Sequence, residues 1–229
     1  MGIKNPRKTA IEAGSGSRLS DVAYTRLLEA LFDRRLPAGS FLSQGELVEL
    51  TGVPVGPLRD ALRVLEVEGI VTVHPRTGIQ FVKPGMELTK STFQFRGLIE
   101  AAAVAVFAET ASAAEIEEIA RRHREVVDAI ERDGLTPAII AELDALELLL
   151  HGSIVASLNN PLIDSSYRRI HNYLRLIRLD RRLTPPLALR SLREHIAIID
   201  ACQRRNPKEA IAALQAHFAA ALQRSQGLY

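Results

Sequence analysis

In the C-terminal part of this sequence, a helix-capping residue followed by proline occurs four times. The pairs are Thr136-Pro137, Asn160-Pro161, Thr184-Pro185 and Asn206-Pro207. A threonine or asparagine side chain accepts hydrogen bonds from free N–H groups in the first turn of a helix. Proline suits the first helical position because its missing N–H group is not needed there. Stripes of leucine, isoleucine and alanine separate the pairs, so the pattern predicts an all-α bundle of about six helices over residues 88–226.

Three shorter helices are predicted before this bundle. Apolar residues at helical spacing indicate the first over residues 21–34, with Ser20 available as its N-cap. Residues 43–46, Ser-Gln-Gly-Glu, form a capping box that opens the second helix. Pro54 or Pro57 starts the third helix, because proline is tolerated in a first turn.

Two short segments rich in β-branched residues follow, at residues 70–74 and 79–82. The sequence Pro-Arg-Thr-Gly between them is typical of a tight turn, so the two segments predict a β-hairpin. Three helices followed by a hairpin form a winged helix-turn-helix, whose third helix enters the major groove of DNA. This domain is predicted over residues 20–84, and Pro84-Gly85 indicates its boundary.

Several segments of the predicted winged domain follow a known pattern. They are Leu36-Pro37-Ala38-Gly39-Ser40-Phe41-Leu42, Glu46-Leu47, Pro57-Leu58-Arg59-Asp60-Ala61-Leu62, Leu65-Glu66, Glu68-Gly69 and Pro75-Arg76-Thr77-Gly78. In order and spacing they resemble the GntR family of bacterial transcriptional regulators, which implies binding to double-stranded DNA. One departure is that the family's usual Ser-Arg-Thr-Pro-Val-Arg run is Pro-Val-Gly-Pro-Leu-Arg at residues 54–59.

The resemblance implies that Arg59, Arg63, Arg76 and Gly78 contact DNA. Arg59 and Arg63 lie one turn apart on the predicted recognition helix, and the other two lie in the turn of the wing. Arginine is suited to bidentate contacts with guanine or phosphate. The alternative for each arginine is a solvated side chain or a salt bridge within the domain.

Three of the six histidines, His151, His195 and His217, lie in three separate predicted helices. Glu147 precedes His151 by four residues, so the two side chains share a helix face and lie about 6 Å apart along the axis. Imidazole and carboxylate groups bind borderline divalent metal ions, and these four side chains can meet inside a helical bundle. Polar histidines in the core are the alternative.

Other residues of the predicted bundle also follow a known pattern. They are Phe95-Arg96-Gly97-Leu98-Ile99-Glu100, His151 with Asn160-Pro161 nine residues later, Glu194-His195 and His217. They resemble the FadR-type C-terminal ligand-binding domain, called FCD, over residues 88–226. The resemblance implies a bundle of about six or seven helices, a divalent metal ion that is commonly zinc or nickel, and a pocket for a small carboxylate effector.

By this resemblance, the metal ligands are Glu147, His151, His195 and His217. Glu147 stands where the family usually has aspartate, so the choice of metal among zinc, nickel and manganese stays open. Arg96 matches an arginine that faces the pocket in relatives, which implies contact with the effector carboxylate. A salt bridge to Glu100 is the alternative role of Arg96.

The remaining histidines have less specific surroundings. His123 lies in the run Arg-Arg-His-Arg-Glu, which is typical of a solvated helix face. His171 is a further candidate for lining the pocket. His74 precedes the turn of the wing and is predicted to be structural.

Composition limits where the protein acts. No apolar run reaches the roughly 20 residues of a membrane span, and the N-terminus lacks the apolar region of a signal peptide. The single cysteine, Cys202, excludes an internal disulfide and suits a reducing compartment. We therefore expect a cytoplasmic protein without membrane contact. Residues 1–19 are predicted to form a flexible basic tail, which touches DNA phosphates or serves only as a solubilising leader.

Together these patterns predict a ligand-responsive transcriptional regulator, a repressor by family resemblance, that binds a palindromic operator as a homodimer. The alternative is a helical metallohydrolase in which the histidines hold catalytic zinc. That chemistry also needs a general base, and the sequence contains no His-Glu-x-x-His motif, phosphate-binding glycine loop or nucleophile elbow. A structural helical adaptor leaves the winged domain unexplained. We therefore expect a regulator and not an enzyme.

Overall fold

The computed structural model describes residues 18–179 and 183–226. Within these ranges the protein is mainly α-helical, which confirms the predicted fold class, and it divides into two compact units between Lys83 and Pro84. Most of the predicted basic tail, residues 1–17, lies outside the described residues. Its last two residues, Arg18 and Leu19, are the N-cap and the first residue of a helix.

The described part of the N-terminal unit contains three helices and a small sheet. The helices are α1 (Leu19–Phe32), α2 (Gln44–Thr51) and α3 (Val55–Val67), and the strands are β1 (Phe41–Leu42), β2 (Val71–His74) and β3 (Gly78–Phe81). The predicted N-cap at Ser20 is wrong, because α1 begins one residue before it. The Asp21 carboxylate accepts a hydrogen bond from the backbone N–H of Arg18 (3.3 Å), which moves the cap to Arg18.

The capping box predicted for α2 is confirmed. The hydroxyl of Ser43 accepts from the backbone N–H of Glu46 (3.2 Å), and the Glu46 carboxylate accepts from the backbone N–H of Ser43 (2.7 Å). Helix α3 has Pro54 at its N-cap and Pro57 in its first turn. It packs mainly against α1, and its buried positions are Leu58, Ala61, Leu62 and Leu65.

The three strands form an antiparallel sheet in the order β1-β3-β2. Strands β2 and β3 form the predicted hairpin, with Val73 opposite Ile79. Strand β1 is not predicted from the sequence, because two residues are too few to show a strand periodicity. It pairs with β3 through Phe41 opposite Gln80, so the wing is attached to a third strand.

Gly78, at the start of β3, occupies a position that other residues fit poorly. Its φ is +149°, and a Cβ there would lie 2.7 Å from the carbonyl oxygen of Leu42 in β1. The turn before it is closed by a hydrogen bond from the Thr77 N–H to the His74 carbonyl (3.2 Å). Only glycine adopts such a φ at little cost, so Gly78 allows β3 to approach β1 closely.

The described part of the C-terminal unit contains six helices, as the capping pairs predict. They are α4 (Met86–Thr110), α5 (Ala113–Asp133), α6 (Pro137–Ala156), α7 (Pro161–Leu179), α8 (Pro185–Gln203) and α9 (Pro207–Ser225). Thr136, Asn160 and Asn206 accept hydrogen bonds of 3.0–3.2 Å from first-turn N–H groups. Among the described helices, none alone is long and apolar enough to cross a membrane; α4 and α5 pass that test only as a pair, bent by 117°.

The core of the bundle lies along α4. This helix packs most extensively against α9 and also contacts α6, α7 and α8. Phe107, Leu150 and Leu214 are among the apolar side chains that fill the core. Ionisable side chains are rarely buried, yet this unit buries Arg96, Glu100, His123, Glu147, His151, His195, His217 and Arg224.

We expect Gly78→Ala to destabilise the N-terminal unit by about 1–3 kcal/mol, because the added Cβ combines an unfavourable φ with a backbone clash. Gly56→Ala is the matched control. Gly56 lies in the first turn of α3, where a Cβ meets nothing within 4 Å, so we expect it to be neutral or stabilising by up to about 1 kcal/mol. Urea unfolding measures both, and equal stability of the two variants would contradict the prediction.

Candidate metal centre and DNA-reading surface

Four ionisable side chains meet inside the C-terminal unit. Glu147 and His151 lie one turn apart on α6, His195 lies on α8 and His217 on α9. One ligand atom from each lies within 4.8 Å of those of the other three, and none of the four residues is more than 3% exposed. The structure thus brings together the four residues that are predicted from the sequence to be metal ligands. We call them the histidine cluster.

Each histidine of the cluster holds its Nδ1 atom against a partner outside the cluster. Nδ1 of His151 lies 2.6 Å from the Glu100 carboxylate, and Nδ1 of His217 lies 2.9 Å from that of Glu194. Nδ1 of His195 lies 3.3 Å from Nε2 of His123 on α5. All three Nε2 atoms are buried without a hydrogen-bond partner among the described residues. Because a carboxylate only accepts, Nδ1 beside it carries the proton and Nε2 keeps a lone pair.

The Nε2 atoms and the Glu147 carboxylate form a donor set that fits a divalent metal ion. Nε2 of His151 lies 3.5 Å from one Glu147 oxygen, and Nε2 of His195 lies 3.4 Å from the other. Two ligands about 2.1 Å from one tetrahedral ion lie about 3.4 Å apart, so these spacings suit a shared ion. Imidazole nitrogen and carboxylate oxygen suit Zn²⁺, Ni²⁺ and Mn²⁺. A cation would also satisfy lone pairs that otherwise stay buried without a partner.

Burial and local charge set the protonation states of the cluster. Burial, reinforced by the neighbouring His217, holds the pKa of His195 well below its ordinary value. Burial lowers the pKa of His217 to about 4, although the hydrogen bond to Glu194 acts in the opposite direction. Burial alone would raise the pKa of Glu147, but the attraction of Arg178 and nearby histidines outweighs it and the pKa lies well below the ordinary value. Neutral imidazoles and an ionised carboxylate are the forms that ligate metals.

Arg96 on α4 is buried beside the histidine cluster. Its Nε donates to Glu100 (2.7 Å) and its Nη1 to Glu147 (3.4 Å), and the guanidinium lies 4.7 Å from the ring centre of Phe218. The salt bridge to Glu100, the alternative role for Arg96, is thus present. Nη2 of Arg96 is nevertheless buried without a hydrogen-bond partner among the described residues. This nitrogen is the part of Arg96 that remains available to a ligand.

Three further charged residues belong to the network around the cluster. Arg178 on α7 donates to Glu147 (2.6 Å), and Arg224 on α9 donates to both oxygens of Glu194 (2.6 and 2.7 Å). Burial acts to raise the pKa of Glu194, but its hydrogen bonds with His217 and Arg224 lower that pKa to about 2. Glu194 directly precedes His195, a predicted metal ligand, so its position in the sequence indicates that it lies near the cluster. The sequence does not indicate the roles of Arg178 and Arg224, because their partners Glu147 and Glu194 lie on other helices.

His123 does not lie on a solvated helix face, and that prediction is wrong. It is fully buried on α5, with Nδ1 2.7 Å from the carbonyl oxygen of Ile119 and Nε2 3.3 Å from Nδ1 of His195. The apolar stripe of α5 is the signal that would have placed it. Ile116 lies seven residues before His123 and Val126 three residues after it, which puts all of them on the buried face.

Two other histidines do not belong to the cluster. His171 on α7 is half-buried, and burial lowers its pKa to about 4. Nε2 of His74 in β2 lies 3.0 Å from the side-chain oxygen of Gln80, and its ring lies 5.5 Å from that of Phe41. These contacts agree with the structural role predicted for His74.

The predicted DNA contacts lie on the surface of the N-terminal unit. Arg59 on α3 is exposed and donates to the Gln44 side chain through Nε and Nη2 (both 3.3 Å). Arg63, one turn later, is exposed and pairs with Asp60 (3.1 Å). Arg76 is exposed in the turn of the wing. Exposed contacts of this kind contribute little free energy, so the guanidinium groups of Arg59 and Arg63 can leave these partners at low cost.

Two protein families match the chain. Residues 91–220 match the FCD domain, and residues 19–81 match the family described as bacterial regulatory proteins, gntR family. YdhC of Bacillus subtilis (strain 168), an HTH-type transcriptional regulator, is 22% identical over 195 residues, which are 85% of each chain.

Solved structures share the fold. McbR/YncC of E. coli has a TM-score of 0.76 at 16% identity and covers 93% of this chain and 100% of its own. A GntR regulator from Rhodococcus sp. RHA1 has a TM-score of 0.74 at 20% identity and covers 92% of this chain and 98% of its own.

These families and the B. subtilis relative are transcriptional regulators and not enzymes, so the metallohydrolase alternative is set aside. The protein belongs to the GntR family of bacterial transcriptional regulators, with an N-terminal winged helix-turn-helix and a C-terminal FCD ligand-binding domain.

Proposed function

We propose that this regulator is a repressor that binds a palindromic operator as a homodimer and releases it when a small carboxylate effector binds beside a metal ion. Residues 20–84 contact DNA, whereas residues 88–226 bind the effector and hold the dimer together. The protein acts in the cytoplasm, where its DNA is. The observation that carries the proposal is that three buried Nε2 atoms, which have no hydrogen-bond partner among the described residues, belong to histidines that cluster with Glu147.

The metal ion is held by Glu147, His151, His195 and His217. Zinc is the first choice, because three imidazoles and one carboxylate at tetrahedral spacing are a common zinc donor set, and nickel and manganese are the alternatives. The ion would supply positive charge, and an anionic ligand would bind it by expanding the coordination beyond the four protein ligands. The protein holds the three imidazoles in fixed orientations through their Nδ1 contacts.

A carboxylate effector fits the charge of the site. Nη2 of Arg96 is a buried donor without a partner among the described residues, and a buried unsatisfied donor costs about 1–3 kcal/mol. A carboxylate that binds the metal would accept from this nitrogen and remove that cost. Arg96 therefore selects an anion, and its existing bond to Glu100 keeps the guanidinium in place (2.7 Å).

The N-terminal unit reads DNA through α3 and the wing. Arg59 and Arg63 lie on the exposed face of α3 and reach the major groove, while Arg76 reaches the neighbouring backbone from the wing. Gly78 contributes through the shape of the wing tip, since its φ of +149° and its close approach to β1 leave no space for a side chain. A single winged unit buries little DNA surface, and a homodimer doubles it on a palindromic site.

Binding of the effector and binding of the operator are thermodynamically coupled. The metal ligands come from three helices, so an anion bound to the metal favours one packing of α6, α8 and α9 over others. If DNA binding requires a different packing, the effector weakens operator affinity by the ratio of its own affinities for the two states.

We expect the native protein to contain about one divalent metal ion per chain and the His195→Ala/His217→Ala double variant to contain none, because a structural site loses its affinity when two ligands are removed. His74→Ala is the matched control, since His74 lies in β2 of the other unit and should not affect metal content. Elemental analysis after incubation with zinc, nickel or manganese measures this. Equal metal content in native protein and double variant, or no metal in either, would contradict the proposed site.

Arg59→Ala should weaken operator binding by about 1–3 kcal/mol, because it removes a bidentate contact to a base or phosphate. Arg121→Ala is the control, since Arg121 is an exposed arginine of α5 whose partners, Glu118 and Glu125, are on the same helix. An electrophoretic shift assay with the operator DNA compares the two. Unchanged affinity of a folded Arg59→Ala protein would remove Arg59 from the DNA contacts.

We expect sedimentation at micromolar concentration to give about twice the chain mass of 25.2 kDa. Leu98 (72% exposed) and Leu162 (77% exposed) are large apolar side chains on the bundle surface, which a dimer interface would cover. Leu98→Glu and Leu162→Glu should lower the dimer fraction. A monomer both free and with operator DNA would contradict the homodimer.

A further inference from the structure

His123 is a buried histidine of the C-terminal unit that is not one of the four residues of the histidine cluster. It lies on α5, a helix that carries none of the four proposed ligands, and it is 0% exposed. Its ring meets that of His195 edge-on, with ring centres 5.4 Å apart. Both ring nitrogens of His123 have a partner, the Ile119 carbonyl at 2.7 Å and Nδ1 of His195 at 3.3 Å.

These two contacts assign the protons on both rings. A backbone carbonyl can only accept a hydrogen bond, so Nδ1 of His123 carries a proton and donates to Ile119. The ring is 0% exposed and neither of these two partners is a carboxylate, so no counter-charge supports a second proton and Nε2 of His123 is an acceptor. The hydrogen bond between the two rings therefore requires a proton on Nδ1 of His195. The Nε2 atom of His195 then keeps its lone pair, and that atom lies 3.4 Å from Glu147.

The other two histidines of the cluster obtain the same tautomer in a different way. Nδ1 of His151 faces Glu100 and Nδ1 of His217 faces Glu194, and both partners are carboxylates. His195 has a neutral partner that adds no charge to the centre. The partner of His195 is also fixed by the backbone of α5, through Ile119, rather than by a flexible ionised side chain.

We propose that His123 is a positioning residue that fixes His195 in the tautomer with Nδ1 protonated and Nε2 free to bind a metal ion. Without an acceptor at Nδ1, no hydrogen bond stabilises the tautomer of His195 that is protonated there. A proton on Nε2 would point at Glu147 and would prevent this nitrogen from binding a metal ion. That Nε2 of His195 binds a metal ion rests on the proposed function. The tautomer of His195 does not, because it is set in the metal-free protein.

Two variants separate the acceptor from the space that the ring fills. His123→Phe keeps a ring of similar size but removes the acceptor. In His123→Gln, the side-chain amide oxygen can take the place of Nε2 and accept from His195. Nitrogen-15 NMR of the histidine rings in metal-free protein reports the tautomer of His195, and competition with a chromophoric chelator measures the affinity for Zn²⁺.

We expect metal-free native protein to show His195 protonated at Nδ1. His123→Phe should lose this single tautomer and bind Zn²⁺ about 10–100-fold more weakly, which is the usual effect of removing such a partner. His123→Gln should restore both the tautomer and most of the affinity.

The inference is overturned if His195 is protonated at Nε2 in the native protein, if His123→Phe binds Zn²⁺ as the native protein does, or if His123→Gln loses affinity as severely as His123→Phe. The tautomer of His195 in the native protein tests the proposal even if a variant fails to fold. Failure of the proposed function looks different. Native protein that does not bind Zn²⁺ but has Nδ1 protonated on His195 would remove the metal site and leave the assignment of His123 intact.

Discussion

Three imidazole lone pairs and one carboxylate face one another in the interior of the bundle, and the surrounding structure depends on how these acceptors are satisfied. Buried acceptors without donors cost free energy, and a partly satisfied network is costlier than an apolar core. Every described helix of the C-terminal unit contributes to this network. The contributors outside the ligand set are Arg96 and Glu100 on α4, His123 on α5, Arg178 on α7, Glu194 on α8 and Arg224 on α9. The packing of the helices and the geometry of the site are therefore coupled.

Glu147, which stands where the family that the sequence resembles usually has aspartate, contacts several parts of this network. One oxygen of Glu147 lies 2.6 Å from Arg178, and the other lies 3.4 Å from Nε2 of His195. The two oxygens of the carboxylate thus serve different partners. Its charge is thus compensated by two arginines, Arg96 and Arg178, and removal of either one would leave a buried charge incompletely compensated.

The two units use charge in opposite ways. In the N-terminal unit, Arg59 and Arg63 are exposed, and their contacts with Gln44 and Asp60 contribute little free energy and can be exchanged at low cost. In the C-terminal unit, Arg96 is 1% exposed and its ion pairs are shielded from water. A surface of exchangeable pairs suits rapid binding to a polyanion, whereas a fixed buried network suits selection of one small ligand.

The sequence alone determined the order of the helices and most of their ends, because those ends are set by contacts between neighbouring residues. Capping residues such as Ser43 and Asn206 act within one turn, and the spacing of Glu147 and His151 places both on one face of α6. That His195 and His217 meet them was implied by family resemblance and follows from no local pattern. Tertiary structure alone decided three further features. They are the pairing of β1 with β3, the bond from Arg178 to Glu147, and the burial of His123 against His195. Each joins residues far apart in the chain, so its free energy depends on how helices and strands pack and not on the residues beside it.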